Sequence, residues 1–126
     1  MKTERDERVL IVGDNPLVLE AVEKAGRQFR MESDLATDGW EAIEKLRTER
    51  YAAIVIDTDL PRHSGFGVLT YLRQENGDQL ANVILMTSAD RDDVRRRVSE
   101  DRLQVIRKTE LVDEIAAAMS SFVTEE

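Results

Sequence analysis

The sequence predicts an α/β protein built on a five-stranded, right-handed, doubly wound parallel sheet with helices on both faces. Three observations carry this. Five short apolar runs alternate with five stretches of helical periodicity, as repeated βαβ units require. The third run, Ala52 to Ile56, is unbroken and rich in β-branched residues, the pattern of a strand buried on both faces. Four of the runs end in polar groups of complementary chemistry, at the edge where open α/β sheets form their ligand crevice.

Length and composition bound the answer. The 126 residues suit a single domain, 1–126, with residues 1–7 as a flexible N-terminal segment. Cysteine is absent, which excludes a disulfide framework and thiolate chemistry and suits the cytoplasm, the expected location. The start, MKTERDER, is charged and has no apolar run behind it, so it does not read as a signal peptide. No stretch approaches the roughly 20 apolar residues of a membrane span. A net charge of −8 argues against direct nucleic-acid binding. The charge is uneven: a basic segment, residues 91–108, lies between two acidic ones.

The first strand, Arg8 to Val12, runs into Gly13, Asp14, Asn15 and Pro16. Asn15 is a good N-cap and Pro16 suits a first helical position, and Val18, Ala21, Val22, Ala25 and Phe29 then recur at helical spacing. Met31 to Ala36 is a weaker strand, interrupted by Glu32, Ser33 and Asp34, and fits an edge. Asp38 and Glu41 resemble a capping box for a helix burying Ala42, Ile43 and Leu46, with Trp40 expected to pack. After the central strand, Pro61 and Gly65 turn the chain into a helix over about residues 66–74, which buries Val68, Leu69 and Leu72 and stops at Asn76, Gly77 and Asp78. Val83 to Met86 forms the fourth strand. The next helix, about 90–100, has only Val94 and Val98 as apolar anchors, and little burial should hold it loosely. Leu103 to Arg107 is the fifth strand, and Thr109 caps a last helix with Leu111, Val112, Ile115, Ala116, Met119 and Phe122 on its inner face.

Parallel pairing brings Asp14, Asp57, Thr87 and Lys108 to one edge of the sheet. Asp14 and Asp57 suit a hard cation such as Mg²⁺, which takes few protein carboxylates and keeps several waters. Two close carboxylates without a cation would repel each other. With the charge balanced, Asp57 can act as an oxygen nucleophile toward a phosphoryl group, Lys108 can pair with the transferred charge, and Thr87 can hydrogen-bond one of its oxygens.

These motifs, VLIVGDNP at 9–16, IVIDTDLPRHSG at 54–65, VILMTSA at 83–89 and VIRK at 105–108, resemble the receiver domains of two-component response regulators over essentially the whole chain. The resemblance implies a flavodoxin-like strand order 2-1-3-4-5. It also implies that Asp57 is the phosphoacceptor, that Asp14, Asp57 and the backbone carbonyl of Asp59 are the metal ligands, and that Thr87 and Lys108 attend the phosphoryl group. A histidine kinase or phosphotransfer protein is the implied donor. A downstream protein, or a second copy of the chain, is the implied partner on the face of helix four, strand five and helix five. The chain then reads as a switch and not an enzyme, beyond self-phosphorylation from small donors and autodephosphorylation. It reads as a stand-alone receiver or one cut from a larger regulator.

Three departures from the family pattern stand out. Gly13 replaces one member of the usual acidic pair, with weaker Mg²⁺ binding and slower phosphorylation as the expectation and the Asp59 side chain or water as substitutes. Thr109 follows Lys108 where the family has a usually cis Lys-Pro step, so a trans bond is expected. Val105 stands where the family has an aromatic switch residue.

The blander readings make Asp59 a turn residue with a solvent-facing side chain, His63 a surface residue, and Arg95, Arg96 and Arg97 a solvated helix face balanced by neighbouring acids. Two rival functions stand beside this reading, the first of which keeps the fold. One is a degenerate receiver acting as a phosphorylation-independent interaction module, which Gly13 and Val105 favour. The other is an aspartyl-phosphate phosphatase, since Asp57, Thr58 and Asp59 form a DxD motif, though on the third strand rather than the first.

Overall fold

The computed structural model describes residues 8–60, 64–88, 91–98, 104–107 and 117–120. Five parallel strands, β1 (Arg8–Val12), β2 (Glu32–Ala36), β3 (Ala53–Asp57), β4 (Val83–Thr87) and β5 (Gln104–Arg107), form one sheet in the order β2-β1-β3-β4-β5. Between them run α1 (Pro16–Gln28), α2 (Gly39–Thr48), α3 (Ser64–Glu75) and α4 (Arg91–Val98), with a 3-10 helix at Gly77–Asn82. Residues 117–120 are helical, within the last predicted helix. The polar second strand is an edge, as its interrupted pattern predicts.

Period-two alternation along the strands splits the core into two halves. On one face Leu10, Val12, Ile54, Ile56 and Leu85 pack against Ala42 and Leu46 of α2, Val68, Leu69 and Leu72 of α3, and Val94 of α4. On the other, Val9, Ile11, Val55, Ile84 and Met86 meet Val18, Val22 and Ala25 of α1 and Met119. Every residue of β3 and of β4 is buried, so the sheet interior is dry and its strand ends are held rigidly.

Local chemistry starts the helices much as predicted. The Asn15 side chain accepts the N–H groups of Leu17 and Val18, and Pro16 follows as the first helical residue. Asp38 accepts the N–H of Glu41 at 2.8 Å, but the Glu41 carboxylate reaches back to Thr37, whose N–H and hydroxyl it accepts at 2.9 and 3.1 Å. The box therefore closes one residue earlier than the simple motif. Arg96 pairs with Asp93 on the exposed side of α4, one pair of the charged face expected there, while the side chains of Arg95 and Arg97 lie outside the described ones.

Two expectations are corrected. Trp40 is 81% exposed rather than packed, because α2 turns Ala42 and Leu46 inward and leaves its second residue outside. Gly65 lies inside α3 and is not a turn residue. A Cβ there would meet the carbonyl oxygen of Asp57 at 2.9 Å and Cγ2 of Ile56 at 3.0 Å, so its bare backbone lets α3 start directly on the end of β3.

At the opposite, amino edge of the sheet, two polar devices anchor the strands. Arg8 donates to both Asp34 oxygens at 2.8 and 2.9 Å, and the Tyr51 hydroxyl donates to Asp34 Oδ2 at 2.8 Å. Burial first, and then that bond, push the Tyr51 phenol up beyond its ordinary range, while Asp34 raises the Arg8 guanidinium. Gln79, buried in the 3-10 helix, accepts the Tyr51 N–H at 3.0 Å and donates to the Tyr51 carbonyl at 3.1 Å. Asn82 donates to the same carbonyl at 3.2 Å. A side chain thus pairs the backbone that enters β3.

Candidate functional site

The carboxyl ends of β1, β3 and β4 place the site. Asp57 is the last residue of β3 and is 4% exposed, the only charged side chain among the buried described residues. A buried carboxylate is costly unless it is hydrogen-bonded. Asp57 Oδ1 accepts the N–H of Asp59 at 2.8 Å, which folds the loop after β3 around the carboxylate. Thr87 ends β4 and is 1% exposed. Its neighbour Met86 is the register partner of Asp57, so the two strand ends lie side by side.

Thr58 stitches these ends together. Its N–H and its hydroxyl both donate to the Met86 carbonyl, at 2.9 and 3.1 Å, and its side chain is buried. One residue further, Asp59 is exposed, but its carboxylate is not simply solvated: Oδ2 accepts the Ser88 N–H at 3.1 Å. The exposed turn position is as expected, and the bond gives Ser88, to which the sequence assigns no role, a structural partner.

Val12 is paired with Ile56, so Gly13 lies beside Asp57 and the exposed Asp14 one step beyond. Gly13 carries φ +154, and its N–H donates to the Ala36 carbonyl at 2.9 Å, which continues the ladder to β2. A Cβ at this position would lie 2.9 Å from the Asp57 Cβ and 3.5 Å from Asp57 Oδ2. The missing acid is thus matched by a backbone that excludes any side chain there.

The structure brings Asp14, Asp57, Asp59 and Thr87 to one edge. Lys108 and Thr109, with the expected trans bond, lie outside the described residues, as do Pro61 and His63. Val105 is 3% exposed and belongs to the same core cluster as Val94 of α4. The proposed metal donors, the Asp14 and Asp57 carboxylates and the Asp59 carbonyl, are all oxygen, the chemistry of a hard cation. Among the described residues no three His, Cys, Asp or Glu side chains are grouped to hold a metal. Two carboxylates and one carbonyl, completed by water, would suit Mg²⁺ better than a softer ion.

Fold and site together define a doubly wound α/β protein with a buried carboxylate at the carboxyl edge of its sheet. The chain belongs to the response regulator receiver domain family, whose model matches residues 9–120. It is 35% identical over 92 residues to the response regulator MprA of Mycobacterium ulcerans, which covers 73% of this chain and 38% of that protein. It is 39% identical over 82 residues to the probable transcriptional regulatory protein TcrX of Mycobacterium tuberculosis, covering 65% of this chain and 34% of that one. The chain thus spans little more than a third of these relatives.

Solved structures agree on the fold. The Francisella response regulator 1452 receiver domain superposes with a TM-score of 0.78 at 22% identity, covering 94% of this chain and 97% of that one. TrrA of Thermotoga maritima, in complex with Mg²⁺ and beryllofluoride, gives 0.76 at 25% identity, covering 93% and 99%. The receiver domain of the sensor histidine kinase PA1611 of Pseudomonas aeruginosa, with magnesium coordinated in its active-site cleft, gives 0.76 at 21% identity, covering 93% and 97%. The strand order 2-1-3-4-5 and the receiver assignment are therefore as the sequence implies.

Proposed function

We propose that this receiver domain is switched by phosphorylation of Asp57. The observation that carries the reading is the burial of Asp57, a lone charged side chain among the buried described residues, beside the buried Thr87. A fold does not keep a buried carboxylate there for stability alone. A carboxylate oxygen of Asp57 attacks phosphorus, an O–P bond forms, and the P–N bond to a donor histidine breaks. The released imidazole nitrogen then takes a proton from solvent.

Asp14, Asp57 and the Asp59 carbonyl would hold Mg²⁺, which would supply charge neutralisation for the transferred oxygens. Thr87 donates its hydroxyl to a phosphoryl oxygen and Lys108 pairs with the added charge. Asp59 holds Asp57 Oδ1 through its N–H and so orients the nucleophile. The donor is a cytoplasmic histidine kinase or phosphotransfer protein. The output is a protein contact, or self-association, on the face made by α4, β5 and the last helix, and the chain itself turns over no external substrate. The relatives' names, a response regulator and a probable transcriptional regulator, fit such an output.

A second reading, a phosphorylation-independent interaction module, draws on Gly13, whose backbone leaves no room for the usual acid. Intact-mass analysis after incubation with Mg²⁺ and acetyl phosphate separates the two, with Asp57→Asn as control. The switch predicts one phosphoryl adduct on the natural chain and none on the variant. Absence of any adduct at high Mg²⁺ favours the module. Sustained turnover of a generic phosphate ester would instead point to the DxD phosphatase.

A further inference from the structure

The loop after β3 contains a second anion that the phosphorylation chemistry does not use. Asp59 engages its surroundings twice: its N–H donates to Asp57 Oδ1 at 2.8 Å, and its carboxylate accepts the Ser88 N–H at 3.1 Å. One short residue therefore spans the gap between the acceptor carboxylate and the first peptide beyond β4. Thr58, bound twice to the Met86 carbonyl, fixes how far apart these two points are. The Ser88 N–H is adjacent in sequence to Thr87, the hydroxyl assigned to the phosphoryl group. The Asp59 carboxylate already sits on this N–H.

We propose that the Asp59 carboxylate is a built-in anion that holds the Ser88 N–H and must give it up when a phosphoryl group arrives on Asp57. The inference rests on the reading of Asp57 as acceptor. Like charges close together repel where solvent is partly excluded, and phosphorylation takes the Asp57 side chain from one negative charge to close to two, two residues from Asp59. The carboxylate swings out to water, which its exposed position permits, and the freed N–H turns to a phosphoryl oxygen. Asp59 thereby opposes phosphorylation, and its departure carries the state of Asp57 to Ser88, the residue that follows β4. It is a positioning residue acting through Ser88. Its carbonyl, the proposed metal ligand, is untouched by side-chain replacement.

The test compares the natural chain with Asp59→Asn and Asp59→Ala, using beryllofluoride with saturating Mg²⁺ as the phosphoryl mimic. Amide resonances are followed by NMR. Both variants should bind beryllofluoride at least threefold more tightly than the natural chain. Asp59→Ala should also shift the Ser88 amide proton upfield before any beryllofluoride is added, a readout that a purely structural role far from Ser88 would not move. Equal affinity in all three proteins, or tighter binding by the natural chain, overturns the inference and leaves Asp57 as acceptor. Failure of all three to bind overturns both readings together.

Discussion

Gly13 and Asp57 approach more closely than two side chains permit: a Cβ on Gly13 would stand 2.9 Å from the Asp57 Cβ. The strand end cannot back away, because the Gly13 N–H is bonded to the Ala36 carbonyl. Its φ of +154 is also one that L residues rarely adopt. Gly13→Ala should therefore cost about 2 kcal/mol, read as a lower urea midpoint at unchanged slope. Gly13→Asp should cost at least as much and displace Asp57, so it does not by itself restore a stronger Mg²⁺ site. Tighter Mg²⁺ binding by Gly13→Asp at unchanged stability would show that the strand end rearranges freely.

Gly65→Ala tests the other side of the acceptor. The added methyl would press on the Asp57 carbonyl at 2.9 Å, and that oxygen belongs to a strand buried throughout. Helix propensity alone favours Ala by close to 1 kcal/mol, so a net loss of about 1 to 2 kcal/mol would show that close approach wins over propensity. A gain in thermal stability would show that α3 can move off β3.

The Tyr51 phenol gives a pH signature. Its value in the folded chain is raised above the ordinary 10.0 by burial and by Asp34. A raised value favours the neutral form on folding, so the contribution is whole below about pH 10 and is lost as pH climbs further. Tyr51→Phe should cost about 2 kcal/mol at pH 7 through the lost bond to Asp34. The gap between the two proteins in urea unfolding should then narrow steadily above pH 10. A constant gap from pH 7 to 11 would contradict this account of the buried phenol.

Gln79→Leu removes the partner of both the N–H and the carbonyl of Tyr51 while keeping most of the buried volume. Asn82 still donates to the carbonyl, so the main loss is one orphaned N–H. The expected cost is about 2 to 3 kcal/mol, measured by chemical denaturation. A neutral result would mean that water replaces the amide.

The fold was legible because strand periodicity, caps and helix stripes are local signals. Arg8–Val12 and the Asn15–Pro16 helix start follow from residues a few positions apart, and the topology from their alternation. The convergence of Asp14, Asp57 and Thr87 followed from the same logic, since parallel pairing carries strand ends to one edge. What escaped was set by distant partners. Gln79 carries no local signal, because its partner, the Tyr51 backbone, lies 28 positions away. Asp59 reads as a turn residue because its partner Ser88 lies 29 positions on. The exclusion of a side chain at position 13 is a backbone property, visible in sequence only as a glycine where an acid is usual.

The exposure of Trp40 has a spectroscopic consequence, since it is the only tryptophan in the chain. An indole already bathed in water in the native state emits much as it does in a denatured chain, and a polar quencher such as acrylamide reaches it in both. Intrinsic tryptophan fluorescence will therefore report denaturation poorly and the surroundings of the α2 start well. Ellipticity is the better signal for unfolding, and the indole serves best as a native fluorophore for anything that covers that end of α2.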